Sequence, residues 1–276
     1  MKARWFAAAA AVAVFALRSH APPRPPIRFA TFNIEDFPKH ARQVAGAFDD
    51  LERLDASFIA VQEIGDPELL RATAQQRLGP SWAFVHEVAA NPGDVHLVGL
   101  LFDTREWTFL SSQTHDETRL GTTHKPALEV RLRSTDDGAA VRVIIVHLRS
   151  GTPGRGTRIR QHEALRGIVR RAAAAGERVV VLGDFNATEA GDRTDLAELA
   201  ADTGLVWATE ALACSAYWSR ADGCPSSRLD HVLSWRTPLS VESAGECARS
   251  GCEWQDRCPI YTEQVSDHCP VVVAIP

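Results

Sequence analysis

Short apolar runs recur along this chain, and each ends in a polar cluster. Ile27-Arg28-Phe29-Ala30-Thr31-Phe32 leads into Asn33 and Glu35, and Phe58-Ile59-Ala60-Val61 into Gln62 and Glu63. Val143-Ile144-Ile145-Val146 leads into His147, Arg149 and Ser150, and Val179-Val180-Val181-Leu182-Gly183 into Asp184 and Asn186. Asp230 lies inside the apolar segment 228–233, and Ser266-Asp267-His268 stands directly before Cys269-Pro270-Val271-Val272-Val273. Runs of this length read as buried strands. Between them Val44, Ala47, Phe48, Leu51 and Leu54 recur at helical spacing, and Pro67 opens a second helix. Residues 82–88 and 95–102 read as adjacent strands around Asn91-Pro92-Gly93-Asp94, and residues 128–132 and 141–147 flank the hairpin signal Asp136-Asp137-Gly138. An Arg-rich helix over 156–175, a helix near 194–201 and two C-terminal strands complete the pattern. Mixed hairpins and helical crossovers predict an α+β fold of two stacked, mostly antiparallel sheets with helices outside.

The chain has 276 residues, 45% of them hydrophobic, enough for one large domain with a substantial core. Its beginning reads as an export signal: Lys2 and Arg4, an apolar stretch over 5–17, then Ser19-His20-Ala21. This divides the chain into a signal peptide at 1–21, a proline-rich spacer at 22–26 and one catalytic domain at 27–276, with an uncleaved anchor as the other reading of the start. The expected location is secreted or periplasmic. All six cysteines fall after residue 213, at 214, 224, 247, 252, 258 and 269, and an even count beside an export signal reads as disulfides. The first expected pair is Cys214 with Cys224. The net charge is −5, and removing residues 1–21 takes away Lys2, Arg4 and Arg18 and leaves −8. That excludes a strongly basic nucleic-acid-binding protein, though not a nuclease that binds its substrate transiently.

Residues two apart on a strand point to the same side, so Asp184 and Asn186 leave the end of one strand aimed at a common point. A carboxylate and an amide there suit a metal-bound water or a phosphate oxygen. The ordered motifs TFNIEDF, VQEI, VHLRSG, VVVLGDFNA, RLDHVL and SDHCPV resemble the endonuclease/exonuclease/phosphatase superfamily over residues 27–275. The resemblance implies a four-layered α/β sandwich with the site at one end of its paired sheets, and direct metal coordination at Glu63. Asp267 is the other leading ligand, with Asn33 and Glu35 completing the set. Some relatives carry aspartate where Glu35 stands. Magnesium fits such oxygen ligands, with manganese or calcium as alternatives.

His268 is expected to pair with Asp230, leaving its other nitrogen for proton transfer or phosphate polarisation. Asp184 would orient or deprotonate the attacking water, Asn186 would donate to a phosphate oxygen, and His147 would act as donor or general acid toward the leaving oxygen. His147 heads the HLRSG stretch, which resembles the deoxyribonuclease and sphingomyelinase branches. Arg149, Arg155 and Lys125 are candidate substrate contacts, whereas the remaining arginines of the 156–175 helix read as a solvated face. His231 reads as a packing residue, and His86, His96, His115 and His124 as structural or exposed. The expected function is a secreted, metal-dependent phosphodiesterase, foremost a nuclease on DNA or RNA. A sphingomyelinase-like or other small-molecule phosphohydrolase is the alternative, with membrane contact from Trp107, Trp218 or Trp254. A non-catalytic binding module of the same fold is the third reading. Nothing in the sequence calls for an obligate protein partner, and a monomer is expected.

Overall fold

A computed structural model describes residues 25–88, 96–120 and 126–276. In chain order the elements are β1 (Ile27–Phe37), α1 (Ala41–Leu51), β2 (Phe58–Ile64), α2 (Pro67–Arg77), β3 (Trp82–His86), β4 (Leu97–Asp103) and β5 (Trp107–His115). Next come β6 (Ala127–Ser134), β7 (Ala140–His147), α3 (Arg155–Ala174), β8 (Arg178–Asp184), α4 (Ala190–Thr203), β9 (Val206–Trp207), β10 (Ala216–Tyr217) and β11 (Ser226–Ser227). The chain closes with β12 (Asp230–Ser234), β13 (Ser240–Ser243), α5 (Gly245–Ser250), α6 (Ile260–Gln264) and β14 (Val271–Ile275).

Two six-stranded sheets result, ordered β13-β14-β1-β2-β4-β3 and β5-β6-β7-β8-β12-β9, with β10 and β11 as a separate short ribbon. Side chains alternate between the faces of each strand, and this alternation builds the layers. Phe29, Phe58, Ala60 and Leu100 of one sheet meet Val143, Ile145, Val180 and Leu182 of the other in a core between the sheets. The neighbouring residues face outward: Phe32, Ile59 and Val61 cover Phe48 and Leu51 of α1, while Ile144, Val146 and Val181 cover Leu165, Ile168 and Val169 of α3. Helix, sheet, sheet and helix make the four layers that the sequence predicts.

Within this frame β1–β2 and β7–β8 are parallel, each joined through a crossover helix, α1 or α3. Parallel pairing brings the C-terminal ends of both strands to the same edge. Asn33 therefore stands opposite Gln62, and His147 opposite Asp184. β12 runs antiparallel to β8, so its first residue, Asp230, also lies beside Asp184.

The main departures from the sequence reading have local causes. β5 was not anticipated, because Trp107–His115 is an edge strand with mostly exposed positions and no apolar run. The disulfides join Cys214 to Cys252, Cys224 to Cys258 and Cys247 to Cys269, so the expected Cys214–Cys224 pair is corrected. The β10–β11 register pairs Ala216 with Ser227 and Tyr217 with Ser226, which offsets Cys214 from Cys224. The Cys224 amide instead donates to Gln255 O at 2.7 Å. Trp107 is no membrane contact: it is buried, and its indole N–H donates to Ser57 Oγ at 2.9 Å.

Two buried histidines flank Phe185, His162 and His231, each edge-on to its ring with centroids 6.1 and 6.0 Å away. His231 is the packing residue expected, its Nδ1 accepting from the Trp207 indole at 3.2 Å. Burial, with Arg166 nearby, pushes His162 down to about 4, and burial, with Arg228 nearby, pushes His231 down to about 3. Both folded values lie below the unfolded one, so the unfolded chain binds more protons and stability falls as pH drops below about 6.5. Each ring should cost about 1.4 kcal/mol per pH unit between about 6 and 4.5. Urea denaturation across that window should give a shallower loss for His162→Phe than for the natural chain. An unchanged slope would show that His162 does not carry the acid sensitivity.

Candidate active site

The strand ends of both sheets meet at one mouth, and the Asn33 side-chain amide bridges them. Its Nδ2 donates to Glu63 Oε1 at 3.1 Å and to Asp184 Oδ2 at 3.2 Å. Asp184 also accepts from the Asn186 backbone at 2.8 Å and from Asn186 Nδ2 at 2.9 Å, and that same amide donates to Leu148 O at 3.1 Å. His147 Nε2 lies 3.6 Å from both Glu63 Oε1 and Asp184 Oδ2. His268 Nδ1 is 2.8 Å from Asp230 Oδ2, and its Nε2 is 3.9 Å from Asp184 Oδ2 and from Asp267 Oδ1.

Sequence features make this convergence possible. Gly183 has φ +140°, and a Cβ there would lie 2.0 Å from Val146 O, so only glycine lets β8 run this close to β7. Glu35, Asp36, Glu63 and Asn186 all have positive φ, at 43°, 54°, 62° and 51°, a conformation uncommon for residues with a side chain. Backbone strain of this kind clusters at functional sites. Ser266 Oγ ties the last motif to the first, donating to Asn33 O at 2.7 Å and accepting from His268 N at 3.0 Å. Ser215 Oγ accepts from the Leu229 and Asp230 amides, both at 3.0 Å, and so sets the start of β12.

Among the described residues, no lysine or arginine forms an ion pair with Glu63, Asp184 or Asp230. Burial drives Asp184 up to about 7 against the opposing pull of His268. Burial also works against a charged His268, but Asp230, Asp267 and Asp184 outweigh it and hold the imidazolium well above its ordinary range. Burial would raise Glu63, yet His147, the Asn33 hydrogen bond and His268 together hold it below the usual carboxylate range. Burial pushes Asp267 up to about 6 against the pull of His268, and the neighbouring Glu35 and Glu63 charges add to the rise. Asp267 Oδ1 is buried with no hydrogen-bond partner. A crowded set of oxygen donors with an unsatisfied carboxylate oxygen fits a hard divalent cation.

The family profile described as Endonuclease/Exonuclease/phosphatase matches residues 30–268. The chain belongs to the endonuclease/exonuclease/phosphatase family. No curated protein matches it significantly. Among solved structures, D. rerio TDP2 complexed with a single-strand DNA product aligns with TM-score 0.68 at 15% identity, covering 90% of this chain and 98% of that one. The human Nocturnin catalytic domain with bound sulfate gives 0.68 at 18% identity, covering 91% and 94%. A Bacteroides thetaiotaomicron mannosyl-6-phosphatase gives 0.63 at 13% identity, covering 91% and 100%. At such identities the likeness establishes the shared fold. Enzymes of this family are metal-dependent phosphoester hydrolases.

Nine of the expected site residues of this family member therefore gather at the mouth: Asn33, Glu35, Glu63, His147, Asp184, Asn186, Asp230, Asp267 and His268. Glu35 is engaged differently from the expected ligand role, since its Oε1 pairs with Lys39 and its Oε2 accepts from Asp267 N at 2.8 Å. Arg149 is exposed on the loop after His147, open to a substrate. The Arg155 guanidinium pairs with Asp195 at 2.8 Å. Lys125 lies outside the described residues.

Sequence reasoning missed Ser215 and the pair Arg158–Asp192. Arg158 belongs to the helix face that the sequence presents as solvated, yet it is 1% exposed. Its Nε and one terminal nitrogen donate to Asp192 at 2.9 and 2.7 Å, and the other terminal nitrogen donates to Arg149 O at 2.8 Å and Gly151 O at 2.7 Å. Asp192 in turn accepts from the Thr188 and Glu189 amides at 3.1 and 3.0 Å. One buried ion pair thus ties the loop after His147 to the loop after Asn186. Arg158→Met leaves a buried carboxylate unmatched and should cost about 3–5 kcal/mol. The Arg158→Met/Asp192→Leu double variant should lose less than the two single changes added together. Urea denaturation of the three variants checks this, and strict additivity would contradict the pairing.

Proposed function

We propose that the chain is an exported, divalent-metal-dependent phosphodiesterase whose preferred substrate is nucleic acid. The observation that carries this reading is Asp184, buried between a His268–Asp230 pair on one side and His147 with Glu63 on the other. A phosphodiester is anionic and repels nucleophiles, so hydrolysis needs charge neutralisation and an in-line water. Glu63 and Asp267, with Asn33 beside them, would hold the divalent ion, and magnesium suits those oxygen donors. The ion would supply neutralisation of the phosphate charge.

The remaining work falls to side chains. Asp184, raised toward neutrality by burial, orients the attacking water and accepts its proton. Asn186 holds the Asp184 carboxylate through its backbone and side-chain amides. His268, fixed through Nδ1 by Asp230, presents Nε2 to the phosphate as a cationic donor. His147 donates toward the leaving oxygen, and Arg149 contacts substrate at the rim. Export is supported by the three disulfides together with the sequence of residues 1–21. Residues 27–276 would form the catalytic domain, acting as a monomer.

Nucleic acid as substrate is supported by the likeness to a TDP2 crystallised with single-strand DNA. A lipid or small phosphoester is the second reading, favoured by Trp218 and Trp254, which are 45% and 51% exposed on the disulfide-linked segment beside His268. Purified protein should hydrolyse a generic aryl phosphodiester with magnesium or manganese and stop on chelation. Glu63→Gln and His268→Ala should each lower kcat by about 100-fold or more. A panel of plasmid, RNA, sphingomyelin and inositol phosphates, each with and without divalent ion, separates the two substrate readings. Full activity in His268→Ala would refute the proposed roles.

A further inference from the structure

Glu35 and Asp36 are adjacent, yet they engage different partners. Glu35 is taken by Lys39 and by the Asp267 amide, on the side of the central carboxylates. Asp36 instead reaches His96, with Oδ1 2.5 Å from the imidazole Nε2. The Asp36 amide also donates to Glu63 Oε2 at 3.2 Å, so the Glu63 carboxylate serves two neighbourhoods: Oε1 toward Asn33 and His147, Oε2 toward Asp36. One donor atom from each of Asp36, Glu63 and His96 lies within 4.8 Å of the others. Among the described residues, no lysine or arginine forms an ion pair with Asp36 or Glu63. Two carboxylates and an imidazole thus converge at a solvent-accessible position, since the Asp36 side chain is half exposed.

We propose that Asp36, Glu63 and His96 form a second divalent-cation site that shares Glu63 with the central one. This rests on Glu63 acting as a metal ligand, as in the reading above. The imidazole sets the class of ion. Magnesium is strongly oxygen-preferring, whereas manganese, cobalt and zinc accept nitrogen and oxygen together. The site therefore takes a borderline transition ion, and the protein holds two such ions where an oxygen-only centre holds one. His96 comes from the segment leading into β4, which pairs with β2, so the same sheet pairing that fixes Glu63 brings the imidazole to it.

Manganese binding to the purified full chain tests the assignment without any turnover. Titration followed by electron paramagnetic resonance should count two ions on the natural chain and one on His96→Ala. Pulsed measurements should show a nitrogen coupling that His96→Ala removes, and zinc affinity should fall at least tenfold in that variant. Asp36→Asn should lower the count in the same way, which guards against a local folding defect in one variant, and apo thermal melts should match. Equal counts in the natural chain and both variants, zero included, overturn the second site and leave His96–Asp36 as an ion pair alone. The functional reading fails separately, by phosphodiester hydrolysis that survives chelation.

Discussion

The constraint on which the rest depends is the burial of two site carboxylates that no lysine or arginine among the described residues pairs with. Asp184 and Asp230 are 2% and 0% exposed, and their partners are imidazoles and amides. Desolvated carboxylates are costly unless they are hydrogen-bonded and paired. The fold meets that cost by bringing every available donor to one place. Asn33 reaches across from the first sheet, Asn186 folds back from the turn, and His268 arrives from the last motif. Such an arrangement cannot tolerate sliding between sheets. The interdigitated core of Phe29, Phe58, Val143, Ile145, Val180 and Leu182 is what holds the donors in register.

Much of this was legible in the sequence because strand-end chemistry leaves a local signature. An apolar run followed by an acid or amide at alternate positions marks both the strand and the direction of its last side chains, as at Leu182–Asp184–Asn186 and Val146–His147. Parallel pairing then needs no further signal to bring two such ends together. What stayed hidden depends on long-range packing. Arg158 sits among other arginines on a polar helix, and nothing in its neighbourhood of sequence marks it as buried. Its partner Asp192 lies in α4, and only the docking of α3 on α4 joins them. β5 escaped for the converse reason, since an edge strand can be polar and still pair along its length with β6. The cysteine pairing was equally invisible, being set by the offset of a two-residue ribbon.

Family membership and substrate remain different levels of description. The same layered frame carries a DNA-bound TDP2 and a sugar phosphatase among this chain's structural neighbours. Function resides in sites grafted on a fold, so discrimination must come from the rim. Here the rim differs in kind from the sheet-borne centre. Arg149 stands on a loop anchored by Gln161 and Arg158, while Trp218 projects from a segment whose covalent links are confined to residues 214–269. The acidic overall balance favours contact through these few groups over a broad basic surface.

The bond between Cys247 and Cys269 begins one residue beyond His268. A covalent stop at that point ties the backbone behind the imidazole to α5. That covalent tie adds to the contacts of the same stretch with Ser266, Asp230 and Ser215, so the ring is positioned from both sides of its backbone.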